Sequence, residues 1–308
     1  MRAIVTGGAG FIGSHVADAL VARGDDVVVL DNLSTGRREN VDDAARLVEA
    51  DLVEAEAVFD DARPEVCFHL AAQADVRVSV ERPGFDAEVN LLGTISVLEA
   101  ARRHGSQVVF SSTGGAIYGE CAEPADEDSP RQPLAPYGAS KLSAEEYLAT
   151  YNRLYGTSHV ALRYGNVYGP RQDPHGEAGV VAIFFGRLAR GERLRIFGDG
   201  LQTRDYVYVG DVVAATLAAQ GHAGVFNVGT GAETSVLELA DACARVAGVS
   251  VPLEHAPARP GELQRSVLDP SRTKRELGVH AETSLEDGLA ATWDFVRMSE
   301  GDAGRGAN

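Results

Sequence analysis

The chain has 308 residues, too many for one small core, and divides naturally into one large α/β unit and a smaller second unit. Its 28 basic and 45 acidic residues give a formal charge of −17, which argues against a nucleic-acid backbone or an anionic membrane surface as partner, since both want clustered Lys and Arg. The cysteines (Cys67, Cys121, Cys243) have neither metal nor disulfide spacing, no apolar run is long enough to span a membrane, and no signal peptide precedes the first strand, so a cytoplasmic protein is expected.

Up to about residue 165, strands alternate with helices. Apolar runs at 2–6, 26–30, 46–49, 65–70, 107–111 and 159–164 read as strands. Periodic stretches at 11–23, 89–104 and 136–155 read as helices, stopped by Gly24, Gly105 and Gly156. Near-continuous Val/Ile/Leu strands between helices imply a parallel sheet covered on both faces, a doubly wound α/β fold of Rossmann type. Beyond 165 the loops lengthen. Helices are expected at 180–190, 211–220, 235–247 and 284–298, and a short strand at 225–228. The expected division is a dinucleotide-binding domain over 1–165, a smaller C-terminal α+β substrate domain over 166–298, and a polar, disordered tail over 299–308. Residues 205–229 are a candidate to fold back onto the first domain.

Between the first strand and first helix stands Thr6-Gly7-Gly8-Ala9-Gly10-Phe11-Ile12-Gly13. Gly7, Gly10 and Gly13 give the tight turn, close backbone approach and close helix–strand packing that a pyrophosphate at a helix N-terminus needs. Asp31 ends the second strand, 18 residues after Gly13, and suits a carboxylate bonding both ribose hydroxyls, which favours NAD over NADP. Arg37 and Arg38 follow and are expected to be solvated. Asp51-Leu52 can edge the adenine, or Asp51 can be an ordinary helix N-cap. Ala71-Ala72-Gln73 offers small residues beside the cofactor, and His69 before them reads as packing.

Ser111-Ser112-Thr113 closes the fifth strand, and Tyr137 and Lys141 lie one helical turn apart at the start of the long helix. A free phenol has a pKa near 10, so lowering it about three units needs roughly 4 kcal/mol. One cation about 4 Å away, at an effective dielectric near 20, supplies about that much. Lys141 and an oxidised nicotinamide are two such cations, and Thr113 or Ser112 can hydrogen-bond the same substrate oxygen. The set can deprotonate an alcohol while its carbon gives up a hydride. Asn90 can hold a helix kink or a water near Lys141, or cap its helix.

These pieces resemble the extended short-chain dehydrogenase/reductase family over essentially the whole chain, nearest to its nucleotide-sugar 4-epimerases. The matching segments are Gly7–Gly13, 31–36, 69–73, 110–113, 137–141 and 163–171. The resemblance implies Tyr137 as base, Lys141 as its electrostatic partner and Thr113 or Ser112 as third member. The segment Thr113-Gly114-Gly115-Ala116-Ile117-Tyr118-Gly119 is one residue longer than the commoner Ser-Ala-Thr-Val-Tyr-Gly form, which leaves both hydroxyls open. It implies NAD contacts from Gly7, Gly10, Phe11, Ile12 and Gly13, and from Asp31, Asn32, Ser34, Thr35 and Gly36. Further contacts are implied from Asp51, Leu52, Leu70, Ala71, Ala72 and Gln73, and from Asn90, Ser111, Tyr137, Lys141 and Tyr164.

For the substrate, a UDP-sugar, the resemblance implies Asn166 on the diphosphate and Val180-Val181 starting the helix that approaches it. Phe197 matches the uracil clamp. Arg204 and Arg259 match phosphate ligands, and Glu262 matches the uridine ribose contact. Two separated arginines suit two phosphates, which Arg binds in fork geometry. Ser266 stands where a bulky residue restricts the sugar 2-position, and its small size implies room for an N-acetyl group. The resemblance implies a homodimer through the helix pair 89–104 and 136–155, which can equally be two ordinary sheet-covering helices.

The function implied is reversible 4-epimerisation of a UDP-hexose through a 4-keto sugar. Elimination needs an acidic pair just after the threonine, where Gly114-Gly115 stands and no carboxylate follows until Glu120. A glucuronate 4-epimerase remains open, with Arg77 as the group that would meet a C6 carboxylate. A cofactor-sensing regulator without chemistry is opposed by the presence of both Tyr137 and Lys141.

Overall fold

A computed structural model describes residues 1–174, 179–259 and 262–303, with side chains through 299. The first half runs β1 (Arg2–Thr6), α1 (Phe11–Ala22), β2 (Asp26–Asp31), β3 (Arg46–Glu49), α2 (Ala55–Ala62), β4 (Val66–His69), α3 (Val76–Glu81), α4 (Pro83–Ala87), α5 (Gly93–His104), β5 (Gln107–Thr113), α6 (Gly114–Ile117), α7 (Pro136–Tyr155) and β6 (Val160–Tyr164). The second half runs β7 (Asn166–Tyr168), α8 (Val180–Ala189), β8 (Leu194–Phe197), β9 (Thr203–Arg204), β10 (Tyr206–Tyr208), α9 (Val209–Ala218), β11 (Gly224–Val228), β12 (Thr234–Ser235), α10 (Val236–Ala247), β13 (Leu253–Ala256), β14 (Arg265–Ser266), α11 (Ser271–Glu276) and α12 (Leu285–Ala303).

Seven parallel strands form the main sheet in the order β11-β6-β5-β4-β1-β2-β3. The order reverses direction between β1 and β4, and in such sheets ligands bind in the crevice beyond the strand ends at that reversal. One face packs on α1 and α9 through Val16, Leu20, Val212 and Val213. The other packs on α2, α5 and α7 through Phe59, Val97, Leu98, Ala144 and Leu148. Both faces are therefore dry, which is why the strands carry no polar alternation.

A separate core holds the second half together. Phe184, Phe185 and Leu188 of α8 meet Leu194 and Ile196 of β8, Leu239 and Cys243 of α10, and Leu289 of α12. The long helix α7 begins on Pro136 and stops at Gly156, whose φ of 67° a β-carbon would disfavour. Strand β5 runs to Thr113, two residues past the expected 107–111, so the Ser-Ser-Thr run closes the strand as expected. The helix expected from 89 opens instead as a π turn, Glu88–Leu92, before α5. Helix α12 continues to Ala303 where a disordered tail from 299 was expected, and residues 304–308 lie outside the described residues.

Candidate active site

The ends of β1 and β4 meet at the sheet's reversal point, and the glycine turn sits on them. Gly7 has φ 69°, and a Cβ there would lie 2.6 Å from the Ala71 nitrogen. A Cβ on Gly13 would lie 2.1 Å from the Gly7 carbonyl oxygen. Any larger residue at either place would fill the cradle between turn and helix. Helix α1 begins at Phe11 with no side-chain cap and no acidic residue in its first turn, so its terminal N–H groups and the positive end of its dipole stay available to an anion. These residues fit a dinucleotide pyrophosphate.

Asp31 is 8% exposed, and its carboxylate accepts from the N–H groups of Ala9 and Leu33 at 3.0 and 2.8 Å. It is thus fixed beside the glycine turn, where a ribose would lie. Asn32 accepts from the Ser34 nitrogen and donates to Asp51, ordering the 32–36 loop, in which Ser34 and Thr35 are exposed and Gly36 backs onto Asp31. Asp51 is also an N-cap, with Glu54 closing a capping box. Leu52 packs under Gly93, and Leu70 joins the core while its N–H is bonded to Thr6.

His69 is fully buried between Thr6 and Thr94, at 2.7 and 3.0 Å, and burial lowers it to about 3. It is a neutral packing residue. Asn90 lies in the π turn, accepts from the Gln73 nitrogen and donates to the Gln73 carbonyl, so the kink and the loop after β4 are one unit.

Lys141 is 2% exposed. Its Nζ donates to the Ser111 carbonyl at 3.0 Å and lies 4.6 Å from the centre of the Phe110 ring. Burial lowers Lys141 to about 7, opposed by the charges of Asp86 and Glu145. Burial, with Asp86, pushes the Tyr137 phenol upward. The low-dielectric site therefore amplifies whatever charge is placed there.

Ser112, expected with Thr113 as a hydroxyl partner of the substrate oxygen, has its own hydroxyl engaged by a carboxylate. Its hydroxyl donates to Glu145, which forms a bidentate ion pair with Arg163, and Arg163 in turn reaches Tyr118. It belongs to a buried brace behind the site. Thr113, the next residue, faces the other way. Its hydroxyl oxygen, Asn166 Oδ1 and Ser266 Oγ surround the place a Cβ on Gly115 would occupy, at 3.9, 3.3 and 3.9 Å.

In the second half, Arg204 and Glu262 stand 3.6 Å apart, and the Arg259 guanidinium lies 4.0 Å from the centre of the Phe197 ring. Between them, Pro260 and Gly261 of the Arg-Pro-Gly-Glu segment lie outside the described residues. Val180 is partly exposed at the start of α8, but Val181 is 1% exposed in the core, leaving only its backbone to face a ligand. Tyr164 bonds its hydroxyl to Thr216 at 2.8 Å. Glu120 accepts the N–H groups of Gln264 and Arg265, and Arg77 is an exposed residue paired with Asp75. Neither is aimed at Thr113 by these bonds.

The model of the NAD dependent epimerase/dehydratase family matches residues 3–229. The chain belongs to that family. A UDP-glucose 4-epimerase of Mycolicibacterium smegmatis is 49% identical over 309 residues, covering 96% of this chain and 99% of that protein. The crystal structure of a UDP-glucose 4-epimerase of Thermotoga maritima with UDP-glucose is 47% identical, with a TM-score of 0.95, covering 97% of this chain and all of that one. A UDP-glucose 4-epimerase of Thermus thermophilus, in complex with NAD, is 49% identical with a TM-score of 0.93, covering 96% of this chain and 99% of that one.

Sequence reasoning overlooked one residue of this epimerase/dehydratase site. Asp86 is fully buried and bonded to Gln73, Asn90 and Ser140. The signal was a lone Asp between Phe85 and Ala87, in a helix of five residues too short to show periodicity.

Proposed function

We propose that the protein is an NAD-dependent UDP-glucose 4-epimerase, interconverting the C4 epimers of a UDP-hexose through a transient 4-keto sugar. The observation that supports this reading is the buried Lys141 ammonium bonded to the Ser111 carbonyl of β5, one helical turn after Tyr137 on α7, with Gly114-Gly115 following Thr113. NAD, held by the Gly7–Gly13 turn and Asp31, would supply the hydride acceptor for C4 and the donor that reduces the 4-keto sugar again. Tyr137 takes the 4-hydroxyl proton and later gives it back. Lys141 supports the phenolate by its charge, and Thr113 holds the same oxygen through its hydroxyl. Gly115 leaves the sugar space to turn over. Ground-state grip comes from Arg204, Arg259 and Asn166 on the diphosphate, from Phe197 on the uracil and from Glu262 on the ribose.

A transient 4-keto sugar that is reduced within one enzyme keeps its C4 hydrogen. UDP-glucose deuterated at C4 should give UDP-galactose with the deuterium still at C4. Washout into solvent would contradict hydride return.

Ser266 is small and borders the Gly115 space, so the N-acetylhexosamine pair is accepted too. Ser266→Tyr should spare UDP-glucose and lose UDP-N-acetylglucosamine; equal effects on both would remove this role. The assembly is a homodimer through helices 89–104 and 136–155, whose Leu92, Tyr147 and Leu154 are 56, 42 and 65% exposed. Sedimentation equilibrium of a monomer at micromolar concentration would refute it. Its free cysteines suit a reducing cytoplasm, which subcellular fractionation tests.

A further inference from the structure

Asp86 carries a formal charge in a place where charge is expensive. It is 0% exposed, and an uncompensated buried carboxylate is strongly disfavoured. Its compensation is three donors. Gln73 Nε2 and Asn90 Nδ2 both donate to Oδ1 at 2.9 Å, and Ser140 Oγ donates to Oδ2 at 2.6 Å. These donors come from three pieces of the site: the loop after β4 that borders the cofactor, the π turn, and the helix that carries Tyr137 and Lys141. Ser140 adjoins Lys141 and lies three residues after Tyr137, so the bond to Ser140 sets the height and rotation of α7 where both reacting groups project.

We propose that Asp86 is a positioning residue for the Tyr137–Lys141 pair: it ties the catalytic helix to the cofactor-bordering loop and holds a fixed negative charge against the buried ammonium. This rests on Tyr137 and Lys141 being the acid–base pair of the proposed epimerase.

Three such groups face that pair among the described residues. Glu145, from α7 itself, is bound by its bidentate partner Arg163 and still acts on Lys141, though less than Asp86 does. His69, from β4, is neutral. Asp86, from α4, has only uncharged donors, and its charge is the larger of the two that act on Lys141. It acts on both members in the same sense, holding protons on Lys141 and on Tyr137. Burial alone would strip the ammonium near neutral pH, and Asp86 opposes that loss. The consequence is a phenol that needs the cofactor's positive charge to ionise.

Asp86→Asn tests this cleanly, because the amide can keep every bond. Its oxygen accepts from Gln73 and Asn90, and its NH₂ donates to Ser140, whose hydroxyl also accepts. Only the charge is lost. The pair then releases its proton more readily, whichever member gives it up. The rising limb of the kcat–pH profile should move to lower pH by on the order of one unit. Ser140→Ala removes a bond and keeps the charge, so it should lower kcat and leave the limb in place. The ultraviolet difference titration of the NAD-bound protein, with Tyr137→Phe subtracted, should show the same shift without turnover. Should Asp86→Asn fail to fold, Asp86→Ser removes the charge with a smaller side chain.

A limb and a phenol titration unmoved in the charge-removing variant would overturn the proposal, as would an equal shift in Ser140→Ala. A wild-type protein that epimerises no UDP-sugar would instead sink the functional reading, and the phenol titration would still decide the role of Asp86.

Discussion

Ser112 and Thr113, adjacent on β5, serve opposite sides of the sheet. The first donates its hydroxyl to Glu145 in the buried brace with Arg163, and the second borders the space in front of Gly115. One residue of register thus separates a hydroxyl bonded in the buried brace from the one proposed to hold the substrate oxygen. Ser112→Ala should cost about 1.5–3 kcal/mol of stability, the loss of a hydrogen bond to a charged group, with the kcat of the folded enzyme near wild type. Thr113→Val should leave the melting temperature near wild type and lower kcat on the order of 10²-fold. Thermal melts and steady-state kinetics on both variants check this, and the reverse pattern would exchange the two roles.

Tyr137→Phe removes only an oxygen. Turnover should fall by about 10²–10⁴-fold, the ordinary worth of a positioned acid–base group, while NAD affinity stays within a few fold. Fluorescence titration with NAD beside an epimerase assay separates the two. Wild-type turnover in the variant would assign the base elsewhere.

Gly13→Ala places a methyl group 2.1 Å from the Gly7 carbonyl oxygen and must push helix and turn apart. NAD binding should weaken by at least about 10²-fold, since the helix N-terminus leaves its seat against the pyrophosphate. Gly84→Ala is the control, because nothing lies within 4 Å of its Cβ position. Equal NAD affinity in the two variants would contradict the assigned cradle.

Two buried histidines set a stability limit in acid. Burial lowers His69 to about 3 and His159 to about 4, both below the ordinary histidine value of 6.5. The unfolded chain therefore takes up protons first as pH falls, and stability complete above pH ~6.5 is lost toward pH 4 and below. Each contributes a slope of about 1.4 kcal/mol per pH unit within its window. The Nδ1 of His159 accepts from the Val108 N–H, a bond that glutamine can replace through its own oxygen. Urea titrations between pH 4.5 and 6 should show a slope shallower by about that amount in His159→Gln; an unchanged slope would mean that His159 is protonated in the fold.

The main sheet and its covering helices α1, α5, α7 and α9 were legible because their apolar runs are periodic and several stop at glycines; the eight-residue α2, which also covers the sheet, was not read. Strands β7, β8, β9, β10, β12, β13 and β14, of two to four residues each, were not, since so short a run has no period to read. At the candidate site, Gly7, Gly13, Asp31, Tyr137 and Lys141 could be proposed from the sequence because each belongs to a short local pattern: the glycine turn, the end of the second strand, or one turn of helix. Ser112 against Thr113 could not be decided without knowing which face of β5 meets Glu145. Asp86 was invisible because its three partners come from residues 73, 90 and 140, joined only by the packing of α4 on α7.

Inversion at C4 of a UDP-sugar can be watched directly. Purified protein with bound NAD is incubated with UDP-glucose and followed by proton NMR of the sugar H4 and anomeric signals. UDP-galactose should appear to an equilibrium reached equally from either sugar, with no net reduction of NAD. A UDP-glucose spectrum unchanged at high enzyme concentration, with UDP-N-acetylglucosamine and UDP-glucuronate unchanged as well, would contradict it.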